Sequence, residues 1–282
     1  MLRKAPGFFR YHLERDPTRI LSRNNELWYN CHENVVDFFN DERNLLRSKV
    51  QSWIQPLDFK KPETVKNIER RQNGPAFTYY ITLNNGSEID VDLVPVIRLP
   101  PNYAIPDEIF KSDRFKELRG THKHVWVMVP KKHSTTSANV KDTFWRLSFP
   151  EAEKNLLPKD GCVKTLIKLF KLFRDAQEWE KLPSYYIKTL FLLELDTCAN
   201  TDWPQEQMGK YFMKMMNKLK IALETKELYS YFNRSANLLT GLDPSITEKY
   251  AKNIQDIIKE ISANPKYDII TSYFTITPKT KG

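Results

Sequence analysis

The chain has 282 residues, of which 40% are hydrophobic and 28% charged, and 44 Lys plus Arg outnumber 35 Asp plus Glu for a net charge of +9. That length allows one large domain or two ordinary ones, and the composition excludes a disordered chain. The basic balance favours a polyanion as partner: nucleotides, nucleic acid or an acidic membrane surface.

Three widely spaced cysteines, Cys31, Cys162 and Cys198, exclude a disulfide framework and fit a reducing compartment. No glycine-rich phosphate loop or dinucleotide fingerprint is present. The longest apolar runs, such as Leu190–Leu193, are far too short to span a bilayer. The N-terminal stretch lacks the apolar run of a signal peptide, and Glu14 and Asp16 argue against a transit peptide. A cytoplasmic protein without membrane insertion is expected.

In chain order, Phe9, Tyr11 and Leu13 alternate with Arg10 and His12, a period of two that predicts a half-buried strand. Residues 27–53 predict a helix on the apolar positions Trp28, Val35, Phe38, Phe39 and Leu45 to Val50. The clearest hairpin lies at 76–97. Phe77, Tyr79, Ile81 and Leu83 alternate with polar neighbours, Asn84-Asn85-Gly86-Ser87 makes the turn, and Ile89, Val91 and Leu93 alternate with Glu88, Asp90 and Asp92. Val125 to Val129 is a further strand candidate. From about Glu151 the pattern turns helical. Val163, Leu166, Ile167, Phe170 and Phe173 recur at steps of three and four, 185–195 and 205–223 read similarly, and Ile246 to Ile261 form a last amphipathic helix started by Asp243-Pro244-Ser245. The coarse expectation is an α+β part over 1–150 followed by an all-helical part over 151–282. The charge is spread over both parts and does not locate a binding face.

Glu88, Asp90 and Asp92 project to one face of the second hairpin strand, about 6.5–7 Å apart along it. Carboxylates gathered in this way either hold a divalent cation such as Mg²⁺ or form a solvated strand face, the commoner outcome. Gly86-Ser87 followed directly by acids is similar to a nucleotidyltransferase signature, but without the spacer that lets Gly-Ser open a helix it reads as the hairpin turn. Further on, Val129-Pro130-Lys131-Lys132-His133 is a basic cluster. Arg146 between Trp145 and Leu147 has the form of a guanidinium stacked on a base or of an ordinary surface arginine. Ser148 shares its face if this segment is a strand. Lys168 lies on a helix, and Ser184 after Pro183 reads as the N-cap of the next one, with Tyr185 and Lys188 in its first turns.

Taken as an ordered set, IDVDLVP, VPK, TFWRLSF and PSYYIKT at these separations resemble the cyclic GMP-AMP synthase family, also called the male-abnormal nucleotidyltransferase family. The resemblance runs from Pro6-Gly7-Phe8 to the last helix and includes Tyr231-Phe232 and Asn237-Leu238-Leu239. It implies a bilobal nucleotidyltransferase fold: a polymerase-β-like mixed-sheet core and a helical C-terminal lobe. It also implies an enzyme that joins ATP and GTP into a cyclic dinucleotide, with Mg²⁺ or Mn²⁺ as cofactor, once double-stranded nucleic acid binds. Asp92 matches the third of the family's three metal-binding carboxylates; Glu88 and Asp90 match no ligand. Lys131, Arg146, Ser148 and Glu153 match positions lining the nucleotide cleft, and Lys168, Ser184, Tyr185 and Lys188 match positions holding the other nucleotide.

Two departures shape the expectation. The family's Gly-Ser helix and first two carboxylates lie before the segment matching Pro6-Gly7-Phe8, so the expectation is a core lacking its first segment and two of three metal ligands. The zinc insertion of vertebrate synthases has no counterpart after Phe149; only Cys162 is nearby, and His122 and His124 on alternating positions lack cysteine support, so no zinc is expected. Its absence resembles the invertebrate cyclic GMP-AMP synthase-like receptors, several of which sense double-stranded RNA, which makes RNA the expected duplex ahead of DNA; a dimer assembled on the duplex is compatible with this. Innate immune sensing is the implied role. The competing readings are a catalytically inactive member that binds nucleotide or duplex without turnover, and a template-independent RNA nucleotidyltransferase.

Overall fold

The computed structural model describes residues 8–10, 44–54, 60–74, 76–99, 126–130, 142–198, 203–234 and 236–275. The expectations for Tyr11 and Leu13, for a helix over 27–43, and for His122, His124 and Lys131 lie outside these residues. The described residues up to Pro150 form one compact unit and those from Glu151 onward another.

The first unit carries β1 (Phe8–Arg10), α1 (Arg47–Ile54), β2 (Val65–Asn73), β3 (Ala76–Leu83), β4 (Glu88–Leu93), β5 (Ile97–Leu99), β6 (Trp126–Val129) and β7 (Phe144–Ser148). They form two antiparallel arrangements, a four-stranded sheet in the order β1-β7-β6-β5 and a three-stranded sheet in the order β2-β3-β4. The hairpin stands where the alternation placed it. Gly86 takes φ +84°, a left-handed conformation that a side chain would strain, and the Leu83 amide donates to the Ser87 carbonyl at 2.8 Å. The second hairpin strand ends at Leu93, however, and Ile97 already belongs to the other sheet.

The central strand β7 points Trp145 and Leu147 into the core, where Trp145 and Met128 are wholly buried. The Trp145 indole donates to the Leu45 carbonyl at 3.0 Å. Over the described part of the helix expected through 53, Asn44 and Leu45 form bridge pairings instead, and α1 begins only at Arg47. Asp142 explains that start. Its carbonyl accepts from the Arg47 amide at 2.9 Å, and its carboxylate accepts from the Ser48 amide at 2.9 Å and from the Ser48 hydroxyl. A residue 94 positions away thus satisfies the orphan donors of the helix. The guanidinium of Arg47 is buried beside Asp142, 3.7 Å away, and reaches the Pro130 carbonyl.

The second unit is helical: α2 (Pro150–Leu156), α3 (Val163–Ala176), α4 (Ser184–Thr197), α5 (Met208–Thr225), α6 (Pro244–Ala263) and α7 (Tyr267–Ser272). The apolar stripe read from the sequence is the buried face of α3, with Val163, Leu166, Ile167, Phe170 and Phe173 inside. Phe170 meets Phe191 edge-on at 5.2 Å, and Trp179 stacks on Tyr250 of α6 at 5.1 Å. Helix α4 buries Ile187, Leu190, Phe191, Leu192 and Leu195 on several sides, as expected of a helix apolar nearly all round. Asp243 caps α6 as its sequence signal predicts, accepting from the Ser245 amide at 2.8 Å with Pro244 following.

Buried Glu194 on α4 is neutralised from α5 by Lys214 at 2.6 Å and Lys218 at 3.1 Å. Burial pushes its carboxyl pKa up, but the hydrogen bonds from the two lysines outweigh that and hold it below the ordinary value.

Helix α6 is not the last one, since α7 and Phe274 fold back so that Phe274 packs on Phe173 at 5.7 Å and Phe212 at 6.0 Å. Tyr273 donates to Glu260, and burial first, then the adjacent carboxylate, push its phenol up to about 12. The neutral phenol is favoured in the folded state. Its contribution is therefore complete below the ordinary tyrosine value of about 10 and is lost as pH rises through the folded value. An ultraviolet difference titration of the protein against Tyr273→Phe is expected to show one phenol ionising at about pH 12. Glu260→Gln lowers that midpoint only in part, because burial is the larger cause.

Candidate active site

Strand β4 sets Glu88, Asp90 and Asp92 on one exposed face, in register with Thr82, Tyr80 and Thr78 of β3. β2 extends each row, with Arg71 opposite Thr78 and Glu69 opposite Tyr80. The three acids do not converge: among the described residues no group of three or more His, Cys, Asp or Glu is placed to hold a metal ion. Asp92 differs from its two neighbours. The Thr78 hydroxyl donates to its Oδ1 at 2.6 Å, and Asn73 Nδ2 donates to that hydroxyl at 2.9 Å and to the Tyr80 hydroxyl at 3.0 Å. Arg71 supplies the positive charge on this face, but it is engaged by Glu69 at 3.2 Å and lies over the Tyr80 ring at 5.3 Å.

On β7, Arg146 and Ser148 alternate with buried Trp145 and Leu147, so both stand half-buried on the opposite face. Arg146 pairs in register with Phe8 on β1 and Val129 on β6, in the middle of the sheet. The strand that Ser148 needed to share that face is present.

In the helical unit, Lys188 of α4 and Glu153 of α2 form an ion pair, with the lysine side chain 25% and the glutamate 12% exposed. Ser184, Tyr185 and Lys188 are half-buried at spacings of three and four residues, a single surface of the first turns of α4. Ser184 is the first helical residue and makes no capping bond; Pro183 holds the N-cap position, so the capping role read for Ser184 is incorrect. Its hydroxyl is thereby not committed to the helix end. Lys168 stands on the exposed face of α3, in a row with Lys164 and Lys171.

The residues that sequence reasoning missed are Thr78 and Asn73. In the sequence Thr78 is only one of several alternating polar positions, and Asn73 sits on β2, a strand whose polar run VKNIERRQN carries no clean alternation.

Residues 3–159 match the Mab-21 protein nucleotidyltransferase domain, more than half of the chain. The chain belongs to the Mab-21 nucleotidyltransferase family. Residues 162–256 match the Mab-21 protein HhH/H2TH-like domain. Among curated relatives, a cyclic GMP-AMP synthase-like receptor of Ctenocephalides felis is 34% identical over 69% of this chain and 45% of its own length. Proteins of the same name from Aethina tumida and Microplitis demolitor are 26% and 33% identical over 89% and 76% of this chain, and 64% and 38% of theirs. The chain thus spans less than two thirds of the relatives it matches. As family membership requires, the fold is α+β, a nucleotidyltransferase part with a helical C-terminal part. Among the described residues no helix is long and apolar enough to cross a membrane.

Proposed function

We propose that the protein is a nucleotidyltransferase of innate immune sensing, making a cyclic dinucleotide from ATP and GTP when double-stranded nucleic acid, RNA in preference to DNA, binds to it. The observation that carries the reading is the match of residues 3–159 to the nucleotidyltransferase domain, reinforced by relatives named cyclic GMP-AMP synthase-like receptors. The chemistry of Asp92 fits a hard divalent cation. It is an exposed carboxylate with one oxygen fixed by Thr78, and Mg²⁺ is commonly held by one or two carboxylates with water and substrate phosphates completing its shell. A bound Mg²⁺ would supply charge neutralisation at the phosphoryl oxygens.

The other roles fall to the chain's own side chains. Arg146 presents a planar fork for base or phosphate, and Ser148 adds a hydroxyl two residues along. Lys188 gives one of its three donors to Glu153 and keeps the others for a phosphate. Lys168 and Lys131 add positive charge, Ser184 a hydroxyl, and Tyr185 a ring on which a base stacks. The location consistent with this role is the cytoplasm.

The test is incubation of the purified protein with ATP, GTP and Mg²⁺, with and without double-stranded RNA or DNA, followed by mass analysis. A cyclic dinucleotide formed only with duplex, and more with RNA, is the expected result. Linear tails on RNA overturn it in favour of template-independent transfer, and nucleotide binding without any product overturns it in favour of a binding module.

A further inference from the structure

We infer that Thr78, oriented by Asn73, is the positioning residue that aims the Asp92 carboxylate at its cation. The inference rests on reading Asp92 as a cation ligand and adds the residues that make it one. The Thr78 side chain is almost fully buried, at 5% exposure, on the central strand of its sheet, so its rotamer is held by packing. Its hydroxyl has one proton and two lone pairs. Asn73 Nδ2 donates to one of those lone pairs, and the ionised carboxylate of Asp92 only accepts. The single hydroxyl proton therefore points at Asp92 Oδ1, at 2.6 Å, within the range of a charge-assisted O–H···O⁻ bond.

Asn73 is itself fixed by its second bond, to the Tyr80 hydroxyl. The chain Asn73, Thr78, Asp92 crosses all three strands and ends on the carboxylate. The bond restrains Oδ1 on the Thr78 side, and Oδ2 of this exposed residue has no hydrogen-bond partner among the described residues. Asp90 and Glu88, whose cross-strand partners are Tyr80 and Thr82, receive no such bond among the described residues. One acid of three on the same exposed face is oriented, and it is the one that matches the family ligand.

A merely structural Thr–Asp pair would stabilise the sheet and nothing more. The two roles separate experimentally. The binding of Mn²⁺–ATP is followed by water-proton relaxation enhancement, and that of ATP in the absence of metal by fluorescence, for the protein and for Thr78→Val, Thr78→Ser, Asn73→Leu and Asp92→Asn. Thermal melts accompany each. Thr78→Val and Asp92→Asn are each expected to weaken Mn²⁺–ATP binding about tenfold, the low end of losses from supporting-residue changes around metals. Thr78→Ser keeps the affinity, Asn73→Leu loses part of it, and metal-free ATP binding is the same in all. If Asp92→Asn weakens the complex while Thr78→Val and Asn73→Leu bind as the unmodified protein does, the positioning role is wrong and the cation reading stands. If Asp92→Asn binds Mn²⁺–ATP normally, the cation reading itself falls. Should Thr78→Val melt early, exposed Asn73 decides the matter: an unchanged affinity in Asn73→Leu overturns the inference.

Discussion

On the proposed function, Asp92→Asn is expected to lower nucleotidyl transfer on the order of a thousandfold while leaving the fold intact. The substitution removes one negative charge and replaces an ionised oxygen by an amide, which ligates Mg²⁺ poorly. Charge stabilisation by a metal at the transferring phosphoryl group is worth several kcal/mol, and each 1.4 kcal/mol is about a factor of ten in rate. The fold has little reason to respond. Asp92 is exposed on an edge strand, Asn keeps an oxygen to accept from Thr78, and surface substitutions of this kind change stability by about 0.5 kcal/mol or less. Asp90→Asn and Glu88→Gln serve as controls. They alter the same face by the same charge, so a general field effect would slow all three variants alike. The expected result is a loss confined to Asp92, measured as initial rates of the proposed nucleotidyl transfer under the assay conditions given above. A rate in Asp92→Asn within about threefold of the unmodified protein, or equal losses in all three variants, would remove Asp92 from the reaction.

The parts of this site that were legible in the sequence are those whose cause is local. The β3–β4 hairpin announced itself because alternation and an Asn-Gly step act within a dozen residues, and α3 and α6 did so because one face of each is apolar at helical spacing. What escaped depends on partners brought from elsewhere in the chain. β2 is exposed along most of its length and polar in composition, so its strand form comes from pairing with β3. Helix α1 starts late because Asp142 meets its first turn, and no residue next to Arg47 announces that. The same holds at the site. The three acids of β4 look equivalent in the sequence, and only the cross-strand register singles out Asp92 by placing Thr78 opposite it. The family resemblance selects Asp92 by motif, and the cross-strand bond from Thr78 distinguishes the same residue from its two neighbours.

In the helical unit the largest loss of stability is expected from Trp203→Ala. Trp203 is 1% exposed, stacks face to face on Tyr211 at 4.4 Å, and lies 6.0 Å from Phe191, so truncation leaves a cavity between α4 and the start of α5. Truncating a buried aromatic of this size costs about 3–5 kcal/mol, which lowers the melting midpoint by roughly 10–20 °C for a unit of this size. The backbone of the same residue is a second, separable point of attachment. Its carbonyl accepts from the Cys162 amide at 2.8 Å, joining the segment before α5 to the start of α3. Gly161 makes room for that bond. It has φ +78°, and a Cβ built on it would stand 2.5 Å from the Trp203 carbonyl oxygen. Gly161→Ala therefore meets both a left-handed backbone, which costs about 1–2 kcal/mol for an L-residue, and a clash with a carbonyl that cannot withdraw without giving up its hydrogen bond. A melt of Gly161→Ala is expected to fall by several degrees with every side chain of the core unchanged. In the double variant the two losses should not add, because a segment already loosened by the missing indole lets its carbonyl move away from the introduced methyl group, and contacting sites of this kind couple by about 0.5–3 kcal/mol. Full additivity in chemical denaturation would mean that the indole and the backbone bond hold the segment independently, and the attachment at Trp203 would then be two structures rather than one.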